Sequence, residues 1–322
     1  MQKKVLAGID IGGTKTAIIL SAEPPLVLGR LEFPTRPSKG PQAAIANIKK
    51  SIDDLLAGEG IDRSALLRLG VSCGGPLDRI QGIIQSPPNL PTWDDVHITS
   101  ILRDEFKVDC LIENDANAGA VAEHRFGAGK GCQNMVFLTM GTGLGAGIIT
   151  DGRLYRGAND LAGEIGHVRL TRTGPVGHNK AGSAEGWASG GGIAQLAAQS
   201  VAEAQRKRKK TILAEHAKSG KPFTARDVVA AVKKGDEIAL GILRTTGERL
   251  GEVLAILVDI LNPERIVIGG LAMRLGDLLL DPARHVMKRE ALAPCVGVCT
   301  IVPAALGESI GDAAALAVAM GI

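Results

Sequence analysis

The sequence predicts an α/β fold built twice, and three observations predict it. The apolar run Val5–Ile11 enters Gly12-Gly13-Thr14-Lys15 and leaves through the apolar residues 16–20, which reads as strand, glycine turn, strand. The same pattern returns at residues 134–140, the turn Gly141-Thr142-Gly143 and the apolar residues up to 149. Residues 12–19 overlay residues 141–148 without a gap, weakly as identity and clearly as pattern. Each hairpin is then followed by alternating strand-like and helix-like segments, as expected of a duplicated architecture with one phosphate-binding turn per half.

Length and composition agree with two such halves. The chain has 322 residues, enough for two domains or one large one, and 45% hydrophobic against 22% charged residues supports a sizeable core. Its 42 glycines follow no collagen-like period and point to tight turns. With two Trp, one Tyr and five Phe, base-stacking surfaces are not expected, and the core must come from Ala, Val, Ile and Leu. A net charge of +3 does not by itself call for a nucleic-acid or membrane partner. Cys73, Cys110, Cys132, Cys295 and Cys299 are widely spaced without a CxxC pair, which suggests free thiols in a reducing compartment. The start Met1-Gln2-Lys3-Lys4 imitates a signal peptide, but Asp10, Gly12-Gly13 and Lys15 interrupt the apolar part and no small-residue cleavage site fits. No apolar run approaches the roughly 18 residues of a membrane span, so a cytoplasmic protein is expected.

In order along the chain, residues 27–33 read as a third strand, ended by Pro34 and Pro37. Residues 43–56 carry apolar positions at helical spacing and stop at Gly58 and Gly60. Residues 67–73 form a strand running into Gly74-Gly75-Pro76, followed by short strand-like residues 82–85 and an irregular loop at 86–93. A helix at 98–106, a strand at 109–113 and a helix of small residues at 118–126 come next. After the second hairpin, residues 163–170 read as a strand carrying Glu164 and His167, and residues 174–192 as an irregular glycine-rich stretch. Helices are expected at 193–210, 225–234 and 236–261, the last a long amphipathic one before Pro263. A strand at 265–268 meets Gly269-Gly270; a helix at 275–289 restarts at Pro282; a strand at 300–304 and an Ala-rich helix at 308–320 close the chain.

Several residues carry candidate chemistry. Asp10 is an ionisable group inside an apolar strand, which is costly unless a cation meets it, and the turn beside it suits a phosphate. Asn114-Asp115 stands where a strand becomes a helix; it can be an N-cap or a fixed carboxylate acting as general base on a sugar hydroxyl. Glu164, His167 and Glu185 can together bind a polyol; in an undistorted strand Glu164 and His167 would face opposite ways, and a bend or bulge at Gly166 could bring both to one side. His167 can equally be a satisfied core histidine. Gly269-Gly270 can allow backbone to approach a nucleotide or serve as a plain strand–helix turn. The basic run 206–210 reads as a solvated helix end complementing the helix dipole.

Taken together these residues resemble the ROK family of sugar kinases and related repressors. The matching pieces are Asp10-Ile-Gly-Gly-Thr-Lys15, Asn89-Leu-Pro-Thr-Trp93, Glu113-Asn-Asp-Ala-Asn117, Thr139-Met-Gly-Thr-Gly-Leu-Gly-Ala-Gly147, Gly163-Glu-Ile-Gly-His167, Glu185 with Ala188-Ser189-Gly190, and Pro263-Glu-Arg-Ile-Val-Ile-Gly-Gly270. The resemblance implies an actin/hexokinase-like (ribonuclease H-like) ATPase fold with two domains and a cleft between them. The smaller domain would be residues 1–117 with a C-terminal helix at about 308–322, the larger residues 118–307. It implies ATP and Mg²⁺ as cofactors, with Asp10 near the metal through water and Gly12, Gly13, Thr14 and Lys15 around the first phosphate turn. Gly141 and Thr142 would form the second turn, and Gly269 and Gly270 would lie by the adenosine. Asp115 would be the base, while Gly75, Asn89, Asn114, Glu164, His167 and Glu185 would surround the sugar.

One departure stands out. Many members carry a Cys-x-Cys-Gly-x-x-Gly-Cys zinc site after the Gly-His segment, and here the stretch is Pro175-Val-Gly-His-Asn-Lys-Ala-Gly-Ser-Ala-Glu185. His167 and His178 alone fall short of the four ligands of a structural zinc, so no zinc is expected and packing or hydrogen bonds, through His178 or Trp187, must orient the loop. The expected function is an ATP-dependent kinase for a hexose or N-acetylhexosamine, acting on the C6 hydroxyl as similar enzymes most often do. A sugar-sensing repressor is less expected, because nine residues before Asp10 leave no room for a DNA-binding module. A non-catalytic sugar-binding relative is the remaining alternative. A homodimer, without nucleic-acid or membrane partners, completes the expectation.

Overall fold

The computed structural model describes residues 4–322; the basic residues 1–3 lie outside the described residues. The chain divides into two compact units, one running to Lys130 and resuming at Ala305, the other Gly131–Ala304. The first contains a five-stranded sheet of β1 (Val5–Ile11), β2 (Lys15–Ser21), β3 (Gly29–Pro34), β4 (Leu66–Cys73) and β5 (Asp109–Asn114) in the order β3-β2-β1-β4-β5. The second contains β6 (Met135–Met140), β7 (Leu144–Thr150), β8 (Arg153–Tyr155), β9 (Arg265–Gly270) and β10 (Thr300–Pro303) in the order β8-β7-β6-β9-β10. In each sheet the first three strands are antiparallel neighbours and the remaining pairings are parallel. The two sheets match strand for strand, so the duplication expected from the two hairpins is present.

The central strands β1, β4, β6 and β9 are almost wholly buried and nearly continuous in Val, Ile, Leu and Ala, as strands covered on both faces must be. In the first unit the Ala-rich C-terminal helix Ile310–Ala319 covers them. A Cβ on Gly8 would lie 2.9 Å from the Leu316 backbone nitrogen, and one on Gly70 would collide with the backbone of Ala319. Alanine on the helix and glycine on the strands thus let backbone meet backbone. In the second unit the helix Glu237–Leu261 starts at Asp236, whose Oδ1 accepts from the Ile238 and Ala239 amides at 3.0 and 2.9 Å. It stops at Asn262 in the left-handed region (φ 45°), one residue before Pro263.

The observed elements differ from expectation where local chemistry competes with periodicity. Residues 163–170 do not form a strand; Ile165–His167 is a short 3-10 turn. The helix after β5 begins at Asp115, and the one after Ser189 runs Gly190–Arg206. Pro282 lies inside the helix Asp277–Glu290 and does not restart it. Strand β8 and the helices Leu213–Lys218 and Ala293–Val298 had no periodic signal. The division falls after Lys130 and Ala304, not after 117 and 307, because the helix Asp115–Phe126 packs on the C-terminal helix. Glu123 anchors that end: fully buried, its carboxylate accepts from the amides of Ala128 (2.7 Å), Ala305 (3.2 Å) and Leu306 (2.9 Å). Among the described residues no helix is long and apolar enough to cross a membrane.

Candidate active site

In the first unit, the C-terminal ends of the parallel strands β1, β4 and β5 carry the polar residues, the usual ligand position of open α/β sheets. Asp10 pairs in register with Ser72, and Ser72 with Glu113. The turn after β1 is closed by a bond from the Gly12 amide to the Lys15 carbonyl at 2.9 Å. Thr35 fastens it from the side: its amide donates to the Thr14 carbonyl (3.0 Å) and its hydroxyl to the Gly12 carbonyl (2.6 Å). Lys15 is exposed and pairs with Glu32 at 2.9 Å. Arg30 binds that same Glu32 oxygen at 2.8 Å and Asp312 at 2.8 Å, which extends the ion chain to the C-terminal helix.

Asp10 sits against this helix; a Cβ on Gly311 would collide with its carboxylate. Burial, then repulsion from Asp115 and Asp312, pushes its carboxyl from 3.8 up to about 6, while Lys15 and Arg30 pull the other way. Such excess negative charge fits a hard divalent cation, which needs one or two carboxylates besides substrate phosphates.

The cap role falls on Asn114 and not on Asp115. Asn114 is the N-cap, with its side chain accepting from the Ala116 amide at 3.0 Å. Asp115 is the first helical residue, exposed, with Oδ1 accepting from the same amide at 2.8 Å. Buried Glu113 supports both by accepting from the Asn114 amide (3.0 Å) and from Asn117 Nδ2 (3.1 Å). A Cβ on Gly74 would lie 3.5 Å from the Asn89 amide group and 3.8 Å from Asp115 Oδ2; one on Gly75 would lie 3.2 Å from Asn114 Nδ2. Gly13 abuts Asn89 more closely still: an added Cβ would lie 2.5 Å from the Asn89 carbonyl oxygen. The structure therefore gathers Asp10, Gly12, Gly13, Gly75, Asn89, Asn114 and Asp115 at one end of one sheet.

In the second unit, the turn Gly141-Thr142-Gly143 is held by the helix Gly190–Arg206. The amides of Gly190 and Gly191 donate to the carbonyls of Gly141 (2.8 Å) and Thr142 (3.1 Å), and Ser189 caps the helix through the Gly192 amide (3.1 Å). These first helical N–H groups fix the turn. On the other side stands Gly270 (φ 70°), whose added Cβ would lie 3.5 Å from the Gly141 nitrogen; Gly269 packs on the Phe137 ring.

Glu185 links this turn to the polar set. Its Oε2 accepts from the Leu144 amide at 3.1 Å and lies 3.9 Å from His178 Nε2. The 3-10 turn places Glu164 and His167, three residues apart, on the same side, with His167 Nε2 3.6 Å from Glu164 Oε2. The bend at Gly166 takes the form of this 3-10 turn and not of a bulge in a strand. The His178 ring stacks on that of His167 at 4.4 Å. Among the described residues no group of three or more His, Cys, Asp or Glu is arranged to hold a metal ion. The sequence did not single out Thr35, Asp312, Gly311 or Gln195: each acts through bonds or close contacts made by the fold, with no spacing of its own to reveal it.

Against known proteins, residues 6–321 match the model of the ROK family. A glucokinase of Halalkalibacterium halodurans is 33% identical over 313 residues, covering 97% of this chain and 93% of that protein. A ROK family glucokinase from Streptomyces griseus, solved in complex with glucose and AMPPNP, is 30% identical with a TM-score of 0.78, covering 98% of this chain and 99% of that one. A xylose repressor of Caldicellulosiruptor bescii is 31% identical over 227 residues, which are 70% of this chain and 55% of the repressor.

Proposed function

This chain belongs to the ROK family, and we propose that it is an ATP-dependent kinase for a hexose or N-acetylhexosamine, acting on the 6-hydroxyl. The observation that carries the reading is Asp115: a carboxylate at the first position of a helix that Asn114 caps, beside Asn89 and within the field of Asp10. The glucose and AMPPNP in the Streptomyces griseus relative support the substrate and cofactor classes.

In this reading Asp115 accepts the proton of the attacking sugar hydroxyl. Its bond to the Ala116 amide holds Oδ1, while Oδ2 lies on the side of Gly74. In the first unit Asn89 and Asn114 are the sugar contacts of this reading; in the second, Glu164, His167 and Glu185 are groups that can accept from and donate to hydroxyls. The backbone of Gly12, Gly13 and Thr14, with Lys15, surrounds the phosphates of one turn, and Gly141 and Thr142 those of the other. Gly269 and Gly270 leave room for the adenosine. Asp10 would hold Mg²⁺ through water, and the metal, when bound, neutralises charge on the phosphates. Phosphoryl transfer leaves the protein little covalent work, so positioning dominates. Five free cysteines, four of them buried, fit a reducing cytoplasm, and the reading includes a homodimer.

A coupled ADP assay across glucose, fructose, mannose, allose, N-acetylglucosamine and N-acetylmannosamine tests this reading. Sugar-dependent ADP release with at least one of them is expected. The xylose repressor relative makes the alternative concrete: saturable sugar binding without turnover would move the chain to the regulatory, non-catalytic class.

A further inference from the structure

The loop between His167 and Glu185 is held from four directions. Its tip is a two-stranded hairpin in which Val176 and Gly177 pair with Ala181 and Lys180, and His178 and Asn179 take left-handed conformations (φ 45° and 57°), as a tight two-residue hairpin turn demands. Gln195, on the helix that fixes the Gly141–Thr142 turn, reads both backbone groups of Val176: Oε1 accepts from its amide and Nε2 donates to its carbonyl, each at 2.8 Å. Lys180 Nζ returns to the His167 carbonyl at 2.8 Å. Trp187 Nε1 donates to Thr171 Oγ1 at 2.8 Å, and the Arg249 guanidinium covers the Trp187 ring at 4.9 Å. At the turn, His178 stacks on His167.

We propose that this hairpin is a metal-free clasp that positions His167 and Glu185 for the sugar, with Gln195 and Lys180 as its positioning residues. The proposal rests on the sugar-kinase reading of that cluster. Gln195 contacts none of the groups assigned to substrate; it acts by tying the hairpin to the helix that holds the second glycine turn. Lys180 acts on the backbone of His167 and leaves the ring to the ligand. The clasp thus couples the sugar loop and one phosphate turn to a single helix.

The test compares wild type with Gln195→Ala and Lys180→Met, which undo the clasp from opposite sides. Hydrogen exchange read by mass spectrometry should be faster at residues 164–168 and 176–186 in both variants, with the rest of the chain unchanged. In steady-state assays the sugar KM should rise about 3- to 15-fold, the scale of one or two lost hydrogen bonds, while kcat and the ATP KM stay within about 2-fold. Unaltered exchange in both variants overturns the clasp. Faster exchange with an unaltered sugar KM overturns its positioning role. A wild-type protein that turns over no sugar would count against the kinase reading instead, and the exchange comparison would still decide the clasp.

Discussion

The two glycine turns occupy the same place in two sheets of the same strand order, yet they are held by opposite kinds of chemistry. The turn after β1 is fastened by the neutral hydroxyl and amide of Thr35 and stands among the carboxylates of Asp10, Asp115 and Asp312. The turn after β6 is fastened by the carboxylate of Glu185 and by helix amides, and stands among imidazoles. Topology repeats the scaffold, and the side chains around each turn divide the labour. The first half concentrates negative charge suited to a metal and a base. The second concentrates mixed donors and acceptors suited to hydroxyls.

Substitutions in each half should therefore fail differently. Asp115→Asn can keep the bond to the Ala116 amide while it removes the proton acceptor and one negative charge facing Asp10. It should lower kcat by about 10²- to 10⁴-fold, with nucleotide affinity and melting temperature nearly unchanged. Steady-state kinetics and calorimetric titration of a non-hydrolysable ATP analogue read both quantities, and a nearly normal rate would remove Asp115 from the role of base.

Next in size is the pH response of the first half. The Asp10 carboxyl is raised in the folded state, so the native protein binds more protons than the unfolded chain between pH 3.8 and about 6. Without metal, this group's contribution to stability falls as pH rises through that window and stays lowered above it. Asp10→Asn removes the penalty, which is worth up to about 3 kcal/mol at neutral pH. Denaturant melts of both proteins at pH 4 and pH 7.5 with chelator check this: the variant should gain on wild type only at the higher pH, and an equal difference at both would contradict the cluster.

Glu185→Gln probes the second half. The amide can still accept from the Leu144 N–H but loses charge facing His178 and the hydroxyls. Sugar kcat/KM should fall about 10- to 100-fold, while the ATP KM shifts far less, as initial-rate measurements at fixed ATP will show. Smallest are the fasteners. Thr35→Val and Ser189→Ala should each cost about 1 kcal/mol in a denaturant melt. Thr35→Val should also raise the ATP KM, sharpening the contrast with Gln195, which acts on the sugar.

Much of this was legible in the residues because it is local or repeated. Alternation and glycine turns marked both hairpins, and the apolar stripe of the helix Glu237–Leu261 appeared with its stop before Pro263, while its cap at Asp236 came only with the fold. The capping choice at Asn114-Asp115 stayed open until the fold showed the Asn114 side chain accepting from the Ala116 amide, with Asp115 the first helical residue. The segment around His167 reads as a strand, but Gly163 at φ 95° and the close packing of Gly166 on Leu144 of β7 go with a 3-10 turn instead. The Asp312 carboxylate lies some three hundred positions from Asp10, beyond any spacing rule.

The central claim is that both halves serve one phosphoryl transfer to a sugar. It is tested most directly by incubating the protein with ATP, Mg²⁺ and each candidate sugar and following the products by ³¹P NMR. The account predicts ADP and a sugar 6-phosphate formed in equal amounts with wild type, and neither at a comparable rate with Asp115→Asn. ATP cleavage without a sugar phosphate, or no reaction with any sugar of the panel, would contradict it.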